Sequence, residues 1–272
     1  MSFNILYSMG KADKSPPHNN WNDATDPRRE RAIRIVRENM PDILGLQEPR
    51  QQQIDDLRAA LPEMEFYGAG RDDGQSAGEF AAIFYRKDRF ERVDQGSFWL
   101  SENPEVPGTS FYKGEHNYPR IASWVKLQDK RSGRQIFVLN THWEWQDAAA
   151  RRQSAQLIRE RLATLAKGLP VILLGDFNSP EDSPELLTVR GIEPPDLPRL
   201  ADSYRDVHPE RKDDERTIHD LRGKTAGSRI DFILPSTEFE ATEATILRTN
   251  YEGHWPSDHY PVTATLRIQA EP

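Results

Sequence analysis

An α/β fold is what this sequence predicts, and three observations predict it. Apolar residues at helical spacing alternate along the chain with short strand-like apolar runs. Several of those runs stop on a carboxylate, an amide or a histidine. No internal repeat or linker divides the pattern, so residues 1–272 are expected to form one domain.

Each element has its own signal. Asp26-Pro27 reads as a helix cap with proline in the first turn, and Ala32, Ile33, Val36 and Met40 space as one helical face before Pro41. Ile54, Leu57 and Leu61 mark a second helix. Ala155, Ile158, Leu162 and Leu165 mark a third, closed by Gly168. Strand patterns fill Asp42–Gln47 and much of 80–99, 121–141, 171–176, 230–234 and 242–266, with a hairpin turn over 129–133. The Pro- and charge-rich stretches 101–118 and 179–228 read as loops over one end of the sheets.

Composition sets limits. With 36% hydrophobic residues and a mean hydropathy of −0.79, the chain has no apolar run near the ~20 residues that span a bilayer. It has no cysteine, which excludes disulfides, thiolate zinc sites and thiol nucleophiles. A net charge of −8 argues against a tight grip on long duplex, where phosphate neutralisation supplies much of the affinity. Arg28, Arg29, Arg31, Arg34 and Arg37 share one predicted helix and read as a solvated face. Ser2–Leu6 already reads as strand, so no signal peptide is visible. A cytoplasmic protein and a secreted one with its leader removed both fit.

The strand ends carry the chemistry. The series is Asn4 in Ser2–Leu6, Glu48 after Asp42–Gln47, Glu79 before Phe80–Tyr85, Arg120 before Ile121–Trp124 and His142 after Phe137–Thr141. Asp176 and Asn178 follow Val171–Leu174, Asp231 opens Phe232–Leu234, and Asp258 and His259 precede Val262–Leu266. Alone, Gly175-Asp176-Phe177-Asn178 fits a plain turn as well as it fits a site. Together, carboxylates and amides suit a hard divalent cation, and histidine beside aspartate suits proton transfer.

In this order the motifs resemble the endonuclease/exonuclease/phosphatase superfamily, the deoxyribonuclease I-like fold. Ser101-Glu102 and Thr217 with His219 further resemble its deadenylase and nocturnin-like branch, which includes bacterial members. The resemblance implies a four-layered α/β/β/α sandwich of two packed mixed β-sheets flanked by helices. It implies a divalent-metal-dependent phosphoesterase that attacks a phosphodiester or phosphomonoester with water in line. Mg²⁺ is the implied cofactor, with Mn²⁺ able to substitute, surrounded by Asn4, Glu48 and Asp258. Asp176 and Asn178 match positions that orient water and bind phosphate. His259 with Asp231, and His142 with Glu79, match two acid–histidine dyads. Arg50 and Arg120 are expected at the phosphate.

Substrate choice rests on thinner signals. Trp143 and Trp145 fall on one side if their strand continues; exposed they would stack on a base, buried they would be core. Tyr112, Tyr118 and Trp255 could extend an aromatic rim, and His116, His219 and His254 lie in expected loops. A nuclease or nucleotide phosphodiesterase acting on single-stranded nucleic acid or a nucleotide is therefore the first expectation. A lipid, inositol or sugar phosphate phosphatase on the same site is the alternative. A catalytically silent binding module is the third, disfavoured because every expected position is filled. A monomer without membrane insertion is expected.

Overall fold

The structure, a computed structural model, describes residues 1–8, 16–115, 117–193, 195 and 198–269; His116 lies outside them. In chain order the strands are β1 (Ser2–Asn4), β2 (Ile43–Gln47), β3 (Met64–Tyr67), β4 (Ala81–Arg86), β5 (Phe90–Trp99), β6 (Ile121–Asp129), β7 (Gln135–His142), β8 (Val171–Asp176), β9 (Asp231–Pro235), β10 (Phe239–Ile246) and β11 (Val262–Ile268). The helices are α1 (Arg28–Asn39), α2 (Gln51–Ala60), α3 (Ala148–Arg161), α4 (Pro184–Val189) and α5 (Ser203–Val207).

One sheet has the order β10-β11-β1-β2-β4-β3, the other β5-β6-β7-β8-β9. Each is mixed: β1 runs parallel to β2 and β7 to β8, while the other pairs are antiparallel. β8 is buried along its whole length, as its near-continuous apolar run requires when both faces of a sheet are covered. Ile83, Tyr85, Val125, Val138, Ile172 and Val262 interdigitate between the sheets. Ala32 and Val36 of α1 and Ile54 and Leu57 of α2 cover the outer face of the first sheet. Ala155 and Ile158 of α3 and Leu186 of α4 cover that of the second. The four layers expected are thus present.

A polar tie crosses the core. Asn140 donates to the Leu46 and Ala82 carbonyls at 2.8 Å each and accepts from Gln47 Nε2 at 2.7 Å. A Cβ on Gly45 would lie 3.0 Å from Asn140 Oδ1, so glycine makes the approach possible. Each such bond is worth about 1 kcal/mol net, and more if one partner is stranded.

Three expectations change. α1 is entered through Pro27, and the Asp26 carboxylate pairs instead with Arg31 and with His254 Nδ1. Met40 leaves the helical face: it turns left-handed at φ +37° and is exposed. The arginine run is not a uniformly solvated face, because Arg28 and Arg31 are buried. Arg28 donates to the carbonyls of Ile5, Leu6 and Pro256, segments far from it in sequence. The stretch 179–228 is also not all loop. Ser183 caps α4 from in front of Pro184, and Asp202 caps α5, both ordinary start signals.

Candidate active site

Sheet register assembles the centre. His142 on β7 pairs with Asp176 on β8, and Asp176 pairs with Asp231 on β9. Residues paired across neighbouring strands share a face, so the three lie side by side at one end of the sheet. A Cβ at Gly175 would lie 2.5 Å from the Thr141 carbonyl, which accounts for the glycine before Asp176.

His259 arrives from the other sheet. Its Nδ1 donates to Asp231 Oδ2 at 2.9 Å, and its Nε2 lies 3.8 Å from Asp176 Oδ2. Burial works against its charge, but Asp231, Asp176 and Asp258 outweigh burial and hold it well above its ordinary range. Asp176 is pushed up to about 6 by burial and by Asp231, against the pull of His259, Asn4 and the Asn178 N–H. Ser257 Oγ donates to the Asn4 carbonyl at 2.6 Å and accepts from the His259 N–H at 3.3 Å, which docks this turn onto β1.

Glu48 forms the opposite bank. It follows β2 with φ +71°, and Asn178 follows β8 with φ +49°. Non-glycine residues held left-handed are strained by about 1–2 kcal/mol and gather at working sites. Asn4 Nδ2 bridges the banks, donating to Glu48 Oε1 at 2.9 Å and to Asp176 Oδ2 at 3.0 Å. Its Oδ1 accepts the Leu6 N–H at 3.1 Å, so Asn4 turns its amide nitrogen, not the expected metal-binding oxygen, toward Glu48. Burial, then the nearby Asp258 carboxylate, raises Glu48 above its usual range.

A half-buried carboxylate raised by burial and by a second carboxylate beside it is what a hard cation relieves, and Glu48 with Asp258 offers it oxygen donors. Asp176, Asp231 and His259 also place one ligand atom each within 4.8 Å of one another. There, however, the imidazole is charged and its Nδ1 is committed to Asp231, so that group is a hydrogen-bonded chain rather than a ligand set.

The second dyad departs from expectation. Glu79 bonds Arg71 through both oxygens, at 3.1 and 2.7 Å, and no hydrogen bond among the described residues joins it to His142. His142 Nε2 faces Asn178 Nδ2 at 3.1 Å and lies 3.5 Å from Asp176 Oδ2. Burial, then Arg120 and Arg71, hold His142 well below its ordinary range, so it is neutral. Arg120 is buried beside it, with Nε 3.4 Å from Glu144 Oε2 and Nη1 unpartnered. Arg50 is half-buried and lies over the Tyr7 ring.

Trp143 is corrected outright. The strand stops at His142, the Trp143 N–H donates to the Asp176 carbonyl, and the indole packs fully buried, edge-on to Phe177. It is core, not a stacking surface, while Trp145 is 62% exposed. His219 is buried against Tyr260 and Trp255, and His254 stacks on His18. Missed in the sequence was Arg71, which captures Glu79; Thr217, singled out there without a role, accepts the N–H groups of Ile230 and Asp231 through Oγ1. Arg71 carried no signal, because its partner lies across a hairpin.

A model of the Endonuclease/Exonuclease/phosphatase family matches residues 1–259. The chain belongs to this family. An endonuclease/exonuclease/phosphatase family protein of Bacteroides thetaiotaomicron is 31% identical, with TM-score 0.85, covering 99% of this chain and 97% of that one. A mannosyl-6-phosphatase of the same organism is 32% identical, with TM-score 0.84 and 98% of each chain covered. The CCR4-Not complex 3'-5'-exoribonuclease subunit Ccr4 of Mycosarcoma maydis is 27% identical over 224 residues, 66% of this chain. The chain spans less than two thirds of the curated relatives it matches, 33% of Ccr4's length among them. Members of the family include nucleases and phosphatases acting on phosphate esters. No helix among the described residues is long and apolar enough to cross a membrane.

Proposed function

We propose that the protein is a divalent-metal-dependent phosphoesterase whose substrate is a small phosphate ester, foremost a sugar phosphate. The observation that carries the reaction class is the Asp176–His259–Asp231 chain facing the Glu48–Asp258 carboxylates across Asn4. Glu48 and Asp258 would hold Mg²⁺ or Mn²⁺. When bound, the cation supplies positive charge to a phosphoryl oxygen. Asp176, near neutrality, accepts the proton of the attacking water, where a base is most effective. His259 stays charged on Asp231 and donates to the phosphoryl group as negative charge develops. Arg50 is the guanidinium open to the phosphate, whereas Arg120 is enclosed beside His142.

Two features favour a small ester over a nucleic acid strand. The ring expected to stack on a base is core, and the 32%-identical structure is a mannosyl-6-phosphatase. A nuclease or nucleotide phosphodiesterase is the second reading, favoured by the 27%-identical exoribonuclease subunit and by the exposed rings of Tyr7 and Tyr118. The deciding experiment is turnover with Mg²⁺ or Mn²⁺, with and without EDTA. Its substrates are hexose 6-phosphates, p-nitrophenyl phosphate, bis-p-nitrophenyl phosphate and single-stranded RNA, with Asp176→Ala as blank. Metal-dependent release of phosphate from the sugar esters is expected. Faster cleavage of RNA would overturn the substrate class, and no metal-dependent turnover on any substrate would overturn the reaction class.

A further inference from the structure

A chamber of about 10 Å³ lies beside His142, with Arg71, Glu79, Arg120 and His142 as its polar wall and Ala81 and Ile121 among its apolar one. That is the room one water occupies, and a buried water needs about three polar partners.

Hydrogen-bond logic says which partners lack a mate. Asn178 Nδ2 donates to the Trp143 carbonyl at 3.0 Å, which fixes the orientation of the amide, and the same nitrogen sits 3.1 Å from His142 Nε2. An amide nitrogen only donates, so Nε2 accepts and the ring proton of neutral His142 is on Nδ1. A proton on Nε2 would meet the amide N–H, and Asp176 at 3.5 Å is a poor substitute acceptor. None of the described residues accepts the Nδ1 proton. Arg120 Nη1 is a buried donor with no partner. Glu79 gives one lone pair of each oxygen to Arg71 and keeps the others.

We propose that the chamber holds one fixed water, which accepts from His142 Nδ1 and Arg120 Nη1 and donates to Glu79. The acid–histidine pair expected in the sequence is thereby made at one remove. Glu79 and Arg120 are positioning residues that hold His142 in the tautomer whose Nε2 faces Asn178 and Asp176. Arg71 anchors the carboxylate at the distance the water needs. Only the effect on turnover rests on the phosphoesterase reading; the water and the tautomer do not.

Two measurements on the full chain test it. Long-range ¹H–¹⁵N spectra of the imidazoles at neutral pH, with His142 assigned by its loss in His142→Gln, should show the Nδ1–H tautomer. Glu79→Gln, whose amide oxygen can still accept from water, should keep it. Glu79→Leu should lose it and lower kcat about tenfold or more, with KM changed less than about twofold. If Glu79→Leu does not fold because Arg71 is stranded, the double variant Arg71→Met, Glu79→Leu replaces it, with the same expectation. An Nε2–H or charged His142 in the wild type, or an unchanged tautomer without the carboxylate, would overturn the proposal. So would a crystal structure with ordered solvent that leaves the chamber empty. Loss of turnover on every ester with the tautomer intact would count against the phosphoesterase reading alone.

Discussion

Asp231→Asn tests the centre most sharply. The change keeps the shape of the side chain and removes one charge, 2.9 Å from His259 Nδ1 in a site where both side chains are nearly inaccessible. Unit charges ~4 Å apart at an effective dielectric of ~20 interact by about 4 kcal/mol, and 1.36 kcal/mol corresponds to one pKa unit. Losing Asp231 should therefore lower the titration of His259. Asp176 and Asp258 still support the charge, which keeps the fall from being larger. With burial then less opposed, a growing fraction of His259 is neutral at working pH. The expected cost in kcat is about 100-fold or more, with KM within about threefold, because general acid–base and electrostatic help of this kind contributes 10²–10⁴-fold. The assay is kcat and KM against pH on the best ester of the panel, beside a titration of the His259 ring carbon protons. A kcat within threefold of wild type, together with an unmoved His259 titration, would refute the reasoning.

Three further outcomes follow from other parts of the molecule. Trp143→Ala should lose about 3–5 kcal/mol of stability in urea unfolding, as expected of an emptied core site, and a substrate-specific rise in KM at native stability would contradict the core placement. Glu48→Gln should weaken Mg²⁺ and Mn²⁺ binding in calorimetry at least tenfold while the thermal midpoint without metal stays or rises, since a carboxylate strained by burial and Asp258 is neutralised; unchanged affinity would remove Glu48 from the metal. His219 is brought down to about 4 by burial, so between about 6.5 and 4 the unfolded chain binds the extra proton and the folded state loses stability as pH falls. That slope is at most about 1.4 kcal/mol per pH unit, nearer 1 after screening, and His219→Gln should flatten it; equal acid sensitivity in both proteins would contradict this.

Much of the site was legible because a strand's period of two makes its polar exceptions conspicuous. Asn4, Glu48, His142, Asp176, Asp231 and His259 all interrupt or end apolar runs, and sheet register then brings them together. What was illegible depended on distant chain. Whether Glu79 meets His142 or Arg71 is decided by a hairpin that delivers a guanidinium first. Whether Trp143 faces solvent is decided by where β7 ends, and periodicity does not mark strand ends within a residue. Fold class survived such errors because it needs only the sequence of periodicities.

Arg28 and Arg31 carry a practical consequence. A surface-engineering scheme that reads α1 by charge alone would treat its arginines as interchangeable solubility residues, free to become glutamate or glutamine. At Arg34 the side chain is exposed, and such a swap gives up only a surface ion pair with Glu38 and a contact with the Tyr251 ring. At Arg28 it would strip the donor from the carbonyls of Ile5, Leu6 and Pro256, which flank Asn4 and Ser257. The first turn of an outer-layer helix thus holds the backbone beside Asn4 and Ser257, and recharging that helix for expression or crystallisation would disturb the candidate site as well as the surface.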